Sequence, residues 1–468
     1  MPDVPDVPDV PDVPDMPAPL PPGPRGLPLL GSMPAVARHG IVPVLLECWR
    51  KYGDLFTLRI GGQRIVVVAH PDGVEHVLHS HRANYYKGSV YDPLRLLIGE
   101  GLATAEGDRW LKRRRRMQPA FHARHLQGLT DTMLRITAET LADWRTRYSD
   151  GARVPISDEM ARLTFRIIGA TLFGLEVGDR AEASVRAFAV ALDLVTRQAD
   201  GTPKAPLWLP TPNNRRLHAA LRTIDAMIAE VITAARARTE APSDMLGLLL
   251  AMRDEQTGEG LTDAELRDEI VTMFLAGHET VALTLTWALE RLSRTPEVAE
   301  RVAAEATRIL GTDPARVPTS AESSRLRYTR MVVDEVLRVR GPAWIVARNC
   351  REDDIIAGHR IPAGCIVLCP QFLTHRHPAF WAHPERLHPE RFDPDAPEQT
   401  HEYAYYPFSK GPRVCIGNHF ALGEAQALLG MLLRACHFDP ERAGDYGFRA
   451  TNVLHPEPAV TLRLRWRS

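Results

Sequence analysis

The stretch FSKGPRVCIG, from Phe408 to Gly417, decides how the rest of the chain is read. It sets Cys415 in a glycine-punctuated loop that runs straight into an apolar helical pattern, NHFALGEAQALLGMLLRAC. A cysteine at the mouth of a helix sits among unpaired backbone N–H groups and at the positive end of the helix dipole, and both favour the thiolate. An isolated cysteine is more often a buried structural residue, but a sulfur so placed is suited to be a ligand or a nucleophile. Gly411 and Gly417 let the backbone turn sharply and approach something flat or bulky, and Arg413 can reach an anionic group beside the sulfur.

Working outward, LTDAELRDEIVTMFLAGHETVALTLTWALERLSR reads as one helix of more than thirty residues, opened by a Thr262 cap with Glu265 as its capping-box partner. One face carries Met273, Ala276, Gly277, Thr280, Thr284 and Trp287 and is mostly small. A mid-helix glycine costs about 1 kcal/mol against alanine, so Gly277 fits a place where something planar nears the backbone. The Thr280 hydroxyl can bond the Ala276 carbonyl four residues back and distort the helix there. Further on, YTRMVVDEVLRVRGPAWIVAR places Glu335 and Arg338 at i and i+3 among apolar neighbours, which predicts a partly buried ion pair. GDRWLKRRRRMQPAF opens a helix with Trp110 and Arg114 on one face and five consecutive basic residues, Lys112 to Arg116.

Phe408, Gly411, Arg413, Cys415 and Gly417 match without a gap the haem-ligand loop of the cytochrome P450 superfamily, FxxGxRxCxG, which this stretch resembles. Ala276-Gly277-His278-Glu279-Thr280 resembles the family's oxygen-binding motif, Glu335 and Arg338 its ExxR pair, and Trp110 and Arg114 its WxxxR feature. The resemblance implies a mainly α-helical single domain with a small β-rich subdomain, binding haem b with Cys415 as the axial ligand to iron. It assigns Phe408 to pack near the sulfur and Trp110, Arg114, Arg348 and Arg413 to the propionates. Thr280 would hold and help protonate dioxygen, Glu279 would feed it protons, and Arg391 would complete a structural triad with Glu335 and Arg338. Gly341-Pro342 departs mildly from the paired prolines the family often carries after its ExxR helix. Substrate walls are expected at Tyr91, Leu94, Leu96, Leu97, Ala343, Trp344, Ile345, Asn452 and Val453, all suited to a lipophilic molecule such as a fatty acid, terpenoid or polyketide.

Composition sets bounds on this reading. A net charge of −1 over 468 residues gives no global field to recruit nucleic acid or an anionic membrane. Six cysteines lack the spacing of a zinc site and the density of a secreted disulfide scaffold, which fits a reducing cytoplasm. Cys365 and Cys369 fall on one strand face and read as buried packing. The opening PDV repeat predicts polyproline II and disorder for residues 1–22, with the catalytic domain spanning 23–468. No apolar stretch of about 20 residues or cleavable signal appears, so no membrane anchor is expected.

Elsewhere the pattern predicts a helix over 42–52, a hairpin DLFTLRI and QRIVVVAH around Gly61-Gly62, and a long irregular segment from Arg82 to Asp108. Helices follow over 157–173, 179–196 and 213–238, with 174–240 a candidate lid around KAPLWLPTP. Strand-like runs near Ile355, Ile366 and AVTLRLRW are expected to form a small sheet. The absence of a flavin or iron–sulfur motif points to separate electron donors, a ferredoxin and its reductase, serving a monomer, with unused basic side chains of Lys112 to Arg116 facing an acidic partner. Two rival readings remain open: a peroxide-driven peroxygenase of the same fold, and a non-catalytic haem sensor or nucleic-acid binder using Lys112 to Arg116.

Overall fold

In a computed structural model, the protein is described over residues 18–121, 123–174, 180–198, 205–237, 244–251, 253, 258–395 and 401–467. Residues 1–17, which hold the PDV repeat, lie outside the described residues. The Pro19 and Pro22 carbonyls accept hydrogen bonds from the Arg360 and Thr57 amides.

The elements that place the site run in this order: α1 (Ile41–Tyr52), β1 (Leu55–Ile60), β2 (Gln63–Val68), β3 (Tyr85–Tyr86), α2 (Asp92–Ile98), α3 (Gly107–Met117), α4 (Ala123–Arg147), α5 (Ile156–Phe173), α6 (Arg180–Gln198) and α7 (Pro212–Arg236). Then come α8 (Asp263–Leu292), α9 (Pro296–Leu310), α10 (Arg327–Arg340), β4 (Val346–Cys350), β5 (Ile366–Cys369), α11 (Asn418–Ala435), β6 (Cys436–Pro440), β7 (Gly447–Ala450), β8 (Leu454–Glu457) and β9 (Leu462–Trp466). Helices dominate, as expected.

α8 is the axle. Thr262 caps it, its hydroxyl accepting from the Glu265 amide at 3.2 Å while Glu265 accepts from the Thr262 amide at 3.0 Å. It packs on α5, α10 and α11, and 18 of its side chains are buried. Among the described residues it is the one helix long and apolar enough to cross a membrane, and that apolar window is 67% buried inside the protein. A core helix passes the same compositional test as a membrane span, and burial on all sides is why its apolar residues form no single stripe.

A five-stranded sheet, in the order β1-β2-β5-β4-β3, flanks the helices. β1 and β2 form the expected hairpin, with Leu55 opposite Val68. β2 then pairs parallel with β5, Ile65 opposite Ile366, across most of the chain. Ile65 and Val67 pack in one apolar cluster and Val66 and Val68 in another, the two-residue alternation of a strand covered on both faces. Cys365 and Cys369 are both buried in the second cluster, as packing residues.

Two expectations are corrected. The segment 82–108 is not irregular throughout, since Asp92–Ile98 is helical, with Pro93 tolerated in its first turn. The strands at Ile355, Ile366 and AVTLRLRW belong to three separate sheets, because Asp354–Ile356 pairs with His359–Ile361, β5 with β2 and β4, and β9 with β6 and Arg153–Val154. The basic run on α3 divides between interior and surface. Arg113 turns inward, 2.7 Å from the fully buried Glu269, and Arg114 reaches the loop before Cys415, leaving Lys112 and Arg115 outward.

Candidate active site

Cys415 sits three residues ahead of α11 in a loop braced by its own backbone. The Cys415 amide donates to the Phe408 carbonyl and the Val414 amide to the Gly411 carbonyl, both at 3.0 Å. Arg114 Nη1 donates to the Val414 carbonyl at 2.9 Å. Gly411 has φ of +69°, and a Cβ there would stand 2.2 Å from the Leu78 carbonyl oxygen, within the π-helical turn His76–Ser80. Only glycine satisfies both constraints. Gly417 meets neither, since φ is −93° and an added Cβ would come no closer than 3.8 Å to Phe121, so the expected sharp turn is absent there.

The Cys415 side chain is exposed although protein encloses it almost completely, so its free surface opens onto interior space. Burial pushes the thiol up, against the Gly417 amide and the Arg114 and Lys87 cations, which pull it down. In the protein alone desolvation outweighs these pulls and favours the neutral thiol.

On α8, Ala276 is exposed between half-buried Leu275 and Gly277. Thr280 Oγ1 donates to the Ala276 carbonyl at 2.6 Å, the predicted back-bond, yet the helix continues without a break. Thr272, Thr284 and Thr286 make the same bond to the residue four back, so the helix absorbs the pattern. Gly277 departs from expectation. A Cβ there would lie 2.4 Å from Ile168 Cδ1 on α5, so the missing side chain makes room for a neighbouring helix rather than a planar ligand. His278 is held neutral, its pKa lowered to about 4 by burial. Burial pushes the Glu279 carboxyl up to about 7, against the Asn452 amide that bonds it.

A cluster of buried cations adjoins the cysteine loop. The Arg413 guanidinium lies 4.1 Å over the Trp110 ring, donates to the Ala105 carbonyl and to Glu106, each at 2.7 Å, and is lowered to about 10 by burial. Arg348, on β4, is 6% exposed and bonds only its neighbour's Ala347 carbonyl among the recorded partners. Lys87 lies between them, enclosed, its ammonium far below its usual range because of burial and the facing Arg348 and Arg413. Lys87, Arg348 and Arg413 gather against one carboxylate, Glu106, an excess of cation-forming groups that suits the haem propionates. The residues thus fit the cofactor. Sequence reading missed Lys87 and Glu106, because no local pattern marks a lysine whose partners come from residues 348 and 413.

Glu335 and Arg338 have fully buried side chains joined by two hydrogen bonds of 2.7 and 2.8 Å, and Arg391 Nε lies 3.5 Å from Glu335 Oε1. Arg338 also donates to the His375 carbonyl at 2.9 Å, and the His388 amide to Glu335 at 2.9 Å. Of the expected substrate walls, two are corrected. Leu97 has no accessible surface and belongs to the main core, and Trp344 is buried in the sheet cluster with its indole N–H on the Thr451 carbonyl at 2.8 Å. Tyr91, Leu94 and Ile345 are partly buried, Val453 is 7% exposed, and Leu96, Ala343 and Asn452 are exposed.

One other cluster carries metal-ligand chemistry, Asp54, His70 and His377. Its hydrogen bonds argue against an ion. Each histidine Nδ1 accepts a backbone N–H, from Asp72 or Ala379, so Nε2 carries the ring proton and has no lone pair to give. His377 Nε2 instead donates to Asp54 at 3.1 Å.

A cysteine loop, an oxygen-motif helix and a cluster of Lys87, Arg348 and Arg413 beside them point to a haem-thiolate enzyme. The cytochrome P450 family model matches residues 21–462, and the chain belongs to that family. It is 33% identical over 413 residues to cyclooctat-9-en-7-ol 5-monooxygenase of Streptomyces melanosporofaciens, covering 87% of each chain. It is 32% identical over 443 residues to pentalenene oxygenase of Streptomyces avermitilis, covering 92% of this chain and 97% of that one. The crystal structure of the cytochrome P450DA haem domain superposes with a TM-score of 0.85 at 28% identity, covering 97% and 98% of the two chains. The protein is a cytochrome P450 monooxygenase whose cofactor is protohaem.

Proposed function

We propose that the chain activates dioxygen at a Cys415-ligated haem and hydroxylates or epoxidises a lipophilic, terpenoid-type molecule, with electrons from a separate ferredoxin and reductase. The observation that carries this reading is the enclosed yet accessible Cys415 sulfur beside a site lined by Lys87, Arg348 and Arg413. The terpenoid class rests on relatives named for cyclooctat-9-en-7-ol and pentalenene.

When bound, the haem supplies the redox chemistry that splits dioxygen and places one atom in a C–H or C=C bond. Cys415 holds the iron. Lys87, Arg348 and Arg413 hold the propionates, with Trp110 stacked on Arg413, while Arg114 braces the cysteine loop through the Val414 carbonyl. Thr280 directs its hydroxyl proton to the Ala276 carbonyl, which leaves its oxygen lone pairs free to accept a proton-bearing partner. Glu279, held near neutral pH in its affinity, is suited to give and take protons there. Retention of this acid and alcohol favours dioxygen over a peroxide-driven reaction. The outward side chains of Lys112 and Arg115 suit an acidic electron donor meeting a monomer.

The test is spectroscopic. Purified protein is expected to show the red-shifted ferrous–CO band, lost in Cys415→Ser, and turnover with ferredoxin and reductase in excess of turnover with peroxide. An imidazole-type spectrum, or peroxide turnover matching the ferredoxin system, overturns the reading.

A further inference from the structure

The Glu279 carboxyl finds its partners outside its own helix. The Asn452 amide bonds it from the turn between β7 and β8, and His455 Nε2, on β8, stands 3.4 Å from Glu279 Oε1. The spacing is not accidental, because Trp287, eight residues along α8, donates its indole N–H to the Leu454 carbonyl at 3.0 Å and pins the hairpin to the helix. β7 and β8 pair with Arg449 opposite His455, so the hairpin presents a cation behind the imidazole. On the other side of α8, α5 brings Ile168 against Gly277. His455 keeps 28% of its side chain accessible and Glu279 keeps 19%, so the imidazole is the more open of the two.

We propose that His455 is a positioning residue of the reaction, the group that returns a proton to Glu279 after Glu279 has given one up toward Thr280. This rests on the reading above that Glu279 and Thr280 serve the protonation of dioxygen. In the step, the Nε2–H bond of the imidazolium breaks and an O–H bond forms on Glu279 Oε1. The carboxylate becomes a neutral acid, the imidazolium becomes neutral imidazole, and imidazole takes its next proton from water. Charge balances and no oxidant or reductant enters. The two groups are matched for such an exchange: burial raises Glu279 to about 7, while burial and then Arg449 lower His455. An arginine or lysine at 455 would hold its proton throughout this range, and only a histidine changes charge near neutrality. Asn452 orients the carboxyl, and its amide supplies no proton.

His455→Gln keeps hydrogen-bonding capacity and removes the titration. It is expected to retain the ferrous–CO band and the substrate spin shift, while coupling of reducing equivalents to product falls roughly tenfold. The lost equivalents should appear as peroxide, and the pH dependence of coupling should flatten. A second readout needs no turnover: the infrared band of the protonated Glu279 carboxyl, assigned by its loss in Glu279→Gln, should titrate near pH 7 in the parent protein. In His455→Gln the rate at which this carboxyl regains its proton after a pH jump should fall, while its midpoint, where the imidazole is already mostly neutral, stays in place. Parent-like coupling overturns the proposal, as does an unchanged rate of carboxyl reprotonation. Failure of the underlying reading is distinguishable, because Thr280→Ala would then keep parent-like coupling as well.

Discussion

Gly277 matters for the atom it lacks. Alanine there gains about 1 kcal/mol of helix propensity but drives a methyl to 2.4 Å from Ile168 Cδ1, and overpacking of this kind costs about 1–3 kcal/mol. Gly277→Ala should therefore lower the melting temperature, and adding Ile168→Val, which deletes the clashing carbon, should restore it. A planar-ligand role would show the reverse, with haem affinity rather than melting temperature changing. His278 next door sets a pH dependence. Its folded pKa is about 4 against an ordinary 6.5, so the unfolded chain takes up the proton first as pH falls. Stability is then intact above about pH 6.5 and declines below it, by roughly 3 kcal/mol at about pH 4. His278→Gln should shift the acid-unfolding midpoint to lower pH. At this scale the sequence showed what was local: Cys415, Arg413 and the Thr280 back-bond follow from neighbours in the chain. Lys87, Glu106 and His455 were invisible because their meaning comes from groups brought in by the fold.

Among elements, the strongest brace is the one between α10 and the turns after it. The Glu335 carboxylate takes two hydrogen bonds from Arg338 and one from the His388 amide, with Arg391 beside it. Removing this anion leaves the buried Arg338 and Arg391 guanidinium groups without the carboxylate that balances them. Glu335→Ala should cost about 3–5 kcal/mol, measured by denaturant midpoint, whether or not haem is bound. Helices were legible where apolar periodicity and caps agreed, as in α8 with its Thr262 box and α1 with Pro43 in its first turn. α2 was hidden because a seven-residue helix inside a run of Tyr, Leu and Gly gives too few turns for a period to emerge. The sheet assignment failed for a different reason: strand partners are tertiary facts, and β9 could not reveal that it pairs with β6 rather than with β5.

For the whole molecule, the buried positive charge ties stability to the cofactor. Lys87, Arg348 and Arg413 repel one another when no anion balances them and become partners when two propionates do. Lys87→Met should accordingly act with opposite signs. It should raise the melting temperature of the haem-free protein, and in the loaded protein speed haem loss by roughly tenfold or more, followed by transfer to an acceptor globin. An equal effect in both states would assign Lys87 to packing alone. The parallel pairing of β2 with β5 reaches from Ile65 to Ile366. A chain emerging from the ribosome must wait for that return before β2 gains its second strand neighbour, and the cysteine loop is translated later still. Cofactor capture thus waits until synthesis has passed Gly417, and premature termination upstream of it yields a product that never acquires colour.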